Sequence, residues 1–180
     1  MAEHQGDAEF CEFMAARVAW LRRVGYLLCG DWHQADDLAQ IALTRLYRHW
    51  GRVRRMDNPD SYVRTTLVNA FLAERRSPWR RVLLRAPEER EAAVPDLDAV
   101  FDVRDALAAL PPRQRATVVL RYYCDLSVEQ TAQALGCSAG NVKSQTSRGL
   151  DALRRALAAY ATDADTGTDT NSAANEGNRR

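Results

Sequence analysis

Asn141, Lys143, Ser144, Ser147 and Arg148 recur at the spacing of one helix face, and each carries a donor or acceptor. Side chains of these types hydrogen-bond phosphates and base edges in a DNA major groove. They lie within Leu126 to Leu153, LSVEQTAQALGCSAGNVKSQTSRGLDAL. That stretch predicts two short helices around a tight turn. Ala132 is small enough to let the second helix pack close. Gly136 suits a turn needing positive φ. Val142 faces inward, and Ser138 is placed to cap the second helix. The pattern fits a helix-turn-helix, and equally an ordinary helical hairpin with a solvated second helix. Asn141 stands at the helix start, where backbone amides favour phosphate. Arg113 and Arg115 are candidates for further phosphate contacts.

A second set is Arg75, Arg76, Arg80, Arg81 and Arg85, at the end of a basic block. Between Arg45 and Arg85 there are eleven arginines and three acids. From Ala86 to Asp105 there are seven acids and two arginines, and from Arg113 to Arg155 seven basic residues and three acids. The net charge of +1 hides this alternation. Two basic blocks around an acidic spacer suit two polyanion-facing surfaces, although each arginine could also simply solvate a helix.

Other chemistry is weakly supported. No paired carboxylates, Ser/His/Asp set or glycine-rich phosphate loop is evident, so no catalytic residue and no cofactor are expected. Cys11, Cys29, Cys124 and Cys137 form no C-x-x-C pair. Cys29 and His33 are four apart, but Gly30 and Asp31 between them break a helix, so no metal site is expected. A redox role for the cysteines stays an alternative. No apolar run approaches the roughly 20 residues of a membrane span, and the polar MAEHQGDAEF start is unlike a signal peptide, which together predict a cytoplasmic protein.

The elements that must position these residues are helices. Phe10, Phe13, Met14, Arg17, Val18, Leu21 and Leu28 predict one amphipathic helix ending near Gly30. Asp31 caps a second, with Ala35, Leu38, Ala42, Leu46 and Trp50 on one side and Gly51 closing it. Asn58-Pro59 starts a third, running through Tyr62, Val63, Leu67, Ala70 and Phe71 to about Arg76, before Ser77-Pro78. Trp79 to Asp96 reads as a linker with a short helix near Glu88–Ala93. Another helix starts near Asp98, with Val100, Phe101, Val103, Leu107 and Leu110 apolar. Pro111-Pro112 breaks it and starts the next, which contains Val118, Val119, Leu120 and Tyr123. The segment after Tyr160 lacks large apolar residues and is expected to be disordered.

With these pieces in order, LPPRQRATVVLRYYCDLSVEQTAQALGCSAGNVKSQTSRGLDALRR (Leu110–Arg155) closely resembles the sigma-four domain of extracytoplasmic-function (ECF) sigma factors, of the sigma-70 family. DWHQADDLAQIALTRLYRHW (Asp31–Trp50) resembles their sigma-two domain. The resemblance runs from about Ala8 to Tyr160. The Gln-Thr-Ala and Ser-Gln-Thr-Ser-Arg pieces are most like an actinobacterial SigE-like group. It implies an all-α protein of two small helical domains, a sigma-two bundle over residues 8–78 and a sigma-four helix-turn-helix over 98–160. A flexible linker (79–97) joins them and a disordered tail (161–180) follows.

The implied function is a promoter-specificity subunit that binds core RNA polymerase, recognises −35 and −10 elements and helps to open DNA. It is not an enzyme. Carried over residue by residue, the resemblance puts core binding, against the β′ clamp helices, on the Asp31–Trp50 helix at Asp36, Asp37, Gln40, Thr44 and Arg48, with Leu38, Leu46 and Trp50 also matching. It puts −10 contacts on Thr65, Asn69, Arg75, Arg76, Arg80 and Arg81, with Thr65, Asn69, Leu72 and Arg76 on one face. The loop Arg52–Asp57 would form part of a pocket for an unpaired base. It puts −35 reading on Asn141, Lys143, Ser144, Ser147 and Arg148. An anti-sigma factor is an expected partner, and the acidic linker Arg85–Leu97 would thread toward the RNA exit path.

The chain departs from the family at VRTTLVN, where relatives carry a Trp-Leu-Tyr-type run, and at Thr131 and Thr146, which are apolar in many relatives. Each of these hydroxyls is expected to bond a backbone carbonyl or the other hydroxyl. Arg154 and Arg155 are read as complementing the dipole of a nearby helix C-terminus. Two other readings stay open: a stand-alone helix-turn-helix regulator, and a small helical enzyme or cysteine-based sensor.

Overall fold

A computed structural model describes residues 2–76 and 98–169, with side chains over 6–76 and 103–159. The described residues are helical throughout, with no strand among them. The N-terminal half holds α1 (Ala2–Ala15), α2 (Val18–Cys29), α3 (Trp32–Arg48), the single turn α4 (Trp50–Val53) and α5 (Pro59–Arg76). The C-terminal half holds α6 (Asp98–Ala109), α7 (Pro112–Val118) and a π-helical turn (Val119–Tyr123), then α8 (Val128–Leu135) and α9 (Ala139–Asp169). The expected short helix at Glu88–Ala93, the linker 79–97, Ser77-Pro78, the acidic thread Arg85–Leu97 and residues 170–180 lie outside the described residues.

Local chemistry sets most boundaries. Asp31 caps α3, its Oδ1 accepting from the Gln34 amide at 2.7 Å, and Asn58 does the same for α5 through Ser61 at 3.0 Å. Pro112 opens α7 at a position where no amide partner is lost. Gly30, at φ 81°, closes α2 in the left-handed region. Ala35, Leu38, Ala42 and Leu46 are fully buried along α3, and Trp50 beyond it is nearly so. Gly25 lets α2 approach α3 so closely that an added Cβ would stand 3.1 Å from the Ala35 backbone.

Four expectations are corrected. The first helix is two helices, α1 and α2, broken at Ala16–Arg17. Arg17 donates to the Phe13 carbonyl at 3.0 Å and forms an ion pair with Asp60 across the bundle. The break lets Phe10 and Phe13 pack edge-on and tilted against Trp50 while α2 packs on α3. The second helix ends at Arg48, and Gly51 lies inside α4 rather than closing α3. Val103 and Tyr123, read as apolar core positions, are exposed. The last helix runs to Asp169 and does not end near Tyr160, because a nucleated helix propagates cheaply through Ala158, Ala159, Ala161 and Ala164. Arg154 and Arg155 are therefore mid-helix. Arg154 pairs with Asp151 at 2.9 Å instead of facing a C-terminus.

The two halves share one buried core. Ala116, Val119, Leu120, Leu126 and Ala134 belong to the same apolar cluster as Leu21, Leu28, Val63, Leu67 and Phe71. The contacts run from α7, the π turn and α8 onto α2 and α5.

Candidate nucleic-acid interface

The C-terminal reading unit is built by caps and one glycine. Ser127 and Gln130 form a reciprocal capping box at the start of α8: the Gln130 amide donates to Ser127 Oγ at 3.1 Å, and the Ser127 amide donates to Gln130 Oε1 at 2.8 Å. Gly136, at φ 59°, turns the chain out of α8, with the Cys137 amide closing onto the Ala132 carbonyl at 3.0 Å. Ser138 then caps α9, accepting from the Asn141 amide at 3.2 Å. Ala132 and Val142 are buried between the two helices. Asn141, Lys143, Ser144, Ser147 and Arg148 are all exposed. Thus all five residues expected to read DNA project from the first turns of α9, away from the core. Behind them, Gly149 packs against α7, where a Cβ would stand 2.8 Å from Val118 Cγ2.

The expected partners of Thr131 and Thr146 are absent: both hydroxyls are buried without a hydrogen bond. Thr66 and Thr117 show the alternative, each donating to the carbonyl four residues back at 2.8 Å. At Thr131 the corresponding Ser127 carbonyl accepts the Thr131 amide, at 2.9 Å, and not its hydroxyl.

In the N-terminal unit, Asn69 and Arg76 are exposed on α5, and Thr65 is half-buried. Leu72 is buried in the core, so it does not share their face. Arg75 lies partly over the Phe71 ring, 5.6 Å from its centroid. Arg80 and Arg81 lie outside the described residues. The α4–α5 loop supplies Arg55, Met56, Asp57 and Asn58 to a groove of about 590 Å³, which Ser61, Tyr62 and Thr65 of α5 continue. Gln130 and Gln133 of α8 form its opposite wall. The sequence marked the loop but not these glutamines, which arrive only through the packing of the two halves.

On α3, Asp37, Gln40, Thr44 and Arg48 are exposed on the face opposite the buried Ala35, Leu38, Ala42 and Leu46. Asp36 stands apart from them, paired with Arg22 of α2. This exposed pair holds the Asp36 carboxyl below its ordinary range, through the hydrogen bond from Arg22.

Arg115 does not face solvent as a phosphate ligand would. It is 5% exposed. It donates to the Leu28 carbonyl at 2.7 Å, at the end of α2, and to the Ala108 and Leu110 carbonyls beyond α6. Burial, reinforced by the nearby Arg75 charge, brings its pKa down to about 10. Among the described residues no cluster of His, Cys, Asp or Glu could hold a metal ion. No described helix is long and apolar enough to cross a membrane.

A helix-turn-helix with a polar, outward second helix, joined to a helical bundle with a basic helix beside a polar loop, defines a two-part reader of DNA sequence. Residues 13–81 match the model of sigma-70 region 2, and residues 101–153 match that of sigma-70 region 4. The chain is 38% identical over 163 residues to the RNA polymerase sigma-E factor of Streptomyces coelicolor, covering 87% of this chain and 90% of that one. It is 33% identical to the ECF RNA polymerase sigma factor SigL of Mycobacterium tuberculosis, over 79% of this chain and 84% of that one. Among solved structures it is similar to the sigma factor RpoE of Bartonella quintana, crystallised with the anti-sigma factor NepR. There the TM-score is 0.70 and the identity 25%, covering 83% of this chain and 96% of that one. The chain belongs to the sigma-70 family of RNA polymerase sigma factors, within its ECF branch. It is a promoter-recognition factor, of a family of non-catalytic transcription initiation factors.

Proposed function

We propose the division of labour among the residues of this sigma factor. Asn141, Lys143, Ser144, Ser147 and Arg148 read the −35 duplex from α9. Thr65, Asn69, Arg75 and Arg76, with Arg80 and Arg81 beyond the described end of α5, hold the opened −10 strand beside the α4–α5 loop. Asp37, Gln40, Thr44 and Arg48 meet the β′ clamp helices of core polymerase, with Asp36 at the margin. The observation that carries this reading is the joint exposure of the five α9 side chains while the rest of the same helix surface is packed. The domain limits follow the family: 8–78 for the core- and −10-binding unit, 79–97 for the linker, 98–160 for the −35 unit, and 161–180 for a tail whose first part continues α9. The chain itself performs no catalysis. It works in the cytoplasm, where core polymerase and DNA are, and the NepR complex of its structural relative supports an anti-sigma partner here.

In-vitro transcription with core polymerase, followed by mapping of start sites, tests the reading. Start sites should share a pair of upstream elements. In Lys143→Ala/Arg148→Ala, transcription should fall at least tenfold through loss of charge-assisted contacts, roughly 1–3 kcal/mol for each base pairing lost, while core binding is kept. Equal transcription by the variant would reassign −35 reading.

A further inference from the structure

The groove beside the α4–α5 loop is walled on one side by the −10 unit and on the other by α8 of the −35 unit. This geometry cannot be the one that reads a promoter. Gln133 shares the groove with Thr65, and Asn141 lies eight residues further along the chain. At full extension those residues span about 28 Å. Two elements centred roughly 25 base pairs apart are separated by about 85 Å of duplex. The α8 wall must leave the groove before both elements can be held.

Three cross-connections keep it there. Arg115 of α7 donates to the Leu28 carbonyl at the end of α2, 2.7 Å away, with no carboxylate in contact. Arg104 of α6 donates to the Tyr26 hydroxyl at 3.3 Å. Ala116, Val119, Leu120, Leu126 and Ala134 are packed in the core of the other half. The exposed α3 face and the α9 reading face remain uncovered.

We infer that the free chain is self-closed: α7 and α8 dock on α2 and α5, with Arg115 as the latch, and cover the −10 groove while leaving the polymerase-facing helix and the −35 helix available. Docking on core polymerase then comes first, and release of the latch second. The −10 strand is admitted only after both. A buried guanidinium bound only to carbonyls suits a reversible latch, because once exposed it is readily solvated. This inference rests on the promoter-recognition roles proposed above.

The test fixes α8 against the loop. Ser61→Cys/Gln133→Cys, in a Cys11→Ser background, is bridged with a cleavable bis-maleimide in the full chain. The bridged protein should bind core polymerase within about threefold of the unbridged protein. Its transcript yield from a mapped promoter should be at least tenfold lower, and cleavage of the bridge should restore it. Arg115→Met, with helix content checked by circular dichroism, should lower bridging yield several-fold and raise the radius of gyration seen by X-ray scattering. For the closed chain that radius should be near 15 Å plus the projecting α9. Full transcription by the bridged protein, or an extended wild-type chain in scattering without polymerase, overturns the inference. Absence of core binding by the unbridged chain overturns instead the functional reading, and the inhibitory role with it, while scattering still decides whether the chain is closed.

Discussion

At the scale of single residues, side-chain caps were legible in the sequence and long-range partners were not. Asp31, Asn58 and Ser138 each satisfy an amide three residues away, so type and position suffice to read them. Arg115 satisfies a carbonyl 87 residues away, and nothing local distinguishes it from Arg113, which is exposed. The two unpartnered hydroxyls give the sharpest prediction at this scale. Thr131→Val/Thr146→Val keeps shape and removes two buried unpaired groups, so it should raise stability by about 1–3 kcal/mol in denaturant unfolding with −35 binding unchanged. The cysteines give a second. Burial pushes the Cys29 and Cys124 thiols up from 9.0 to about 11, whereas Cys11 is exposed. Maleimide at neutral pH should label Cys11 first and leave Cys29 and Cys124 nearly untouched. Because the folded state holds these two protons more tightly than the unfolded state, their stabilising contribution is complete below pH 9 and is lost as pH rises through about 11. A melting temperature that rises over that window would contradict this.

At the scale of elements, helix identity was plain from apolar spacing, but helix ends set by tertiary contacts were not. The α1–α2 break depends on Arg17 reaching Asp60, 43 residues on. The π turn is equally cryptic. The Cys124 amide reaches back to the Val119 carbonyl at 3.0 Å, and Asp125 takes φ 51°, a strained value for a residue with a side chain. This widening turns Leu126 into the core ahead of the helix-turn-helix. Element packing also explains Gly149, which the sequence shows only as a glycine inside a good helix. With Val118 Cγ2 at 2.8 Å from the added carbon, Gly149→Ala should gain helix propensity yet lose about 1–3 kcal/mol net by separating α9 from α7. Thermal unfolding would read the sign directly, since propensity alone would stabilise the variant by up to about 1 kcal/mol.

At the scale of the whole molecule, the two-unit order was visible in charge blocks and motifs, but the way the units lie together was not. Sequence periodicity marks which positions are apolar, not which half supplies their neighbours. Leu120 and Leu126 could have completed a small core of their own, yet they are packed with residues of α2 and α5. One consequence is thermodynamic. Halves that bury a common interior unfold as a single cooperative unit, so calorimetry of the free chain should show one transition with equal van't Hoff and calorimetric enthalpies. Leu120→Ala, costing about 2–5 kcal/mol, should lower the melting of α2 and α5 together with that of the helix-turn-helix. Two separated transitions would show independent halves. A substitution at Leu120 is thus a substitution in both readers of the promoter at once. Drift in the interior of either reader would be felt by the other as a change in its own stability, although the two touch different DNA.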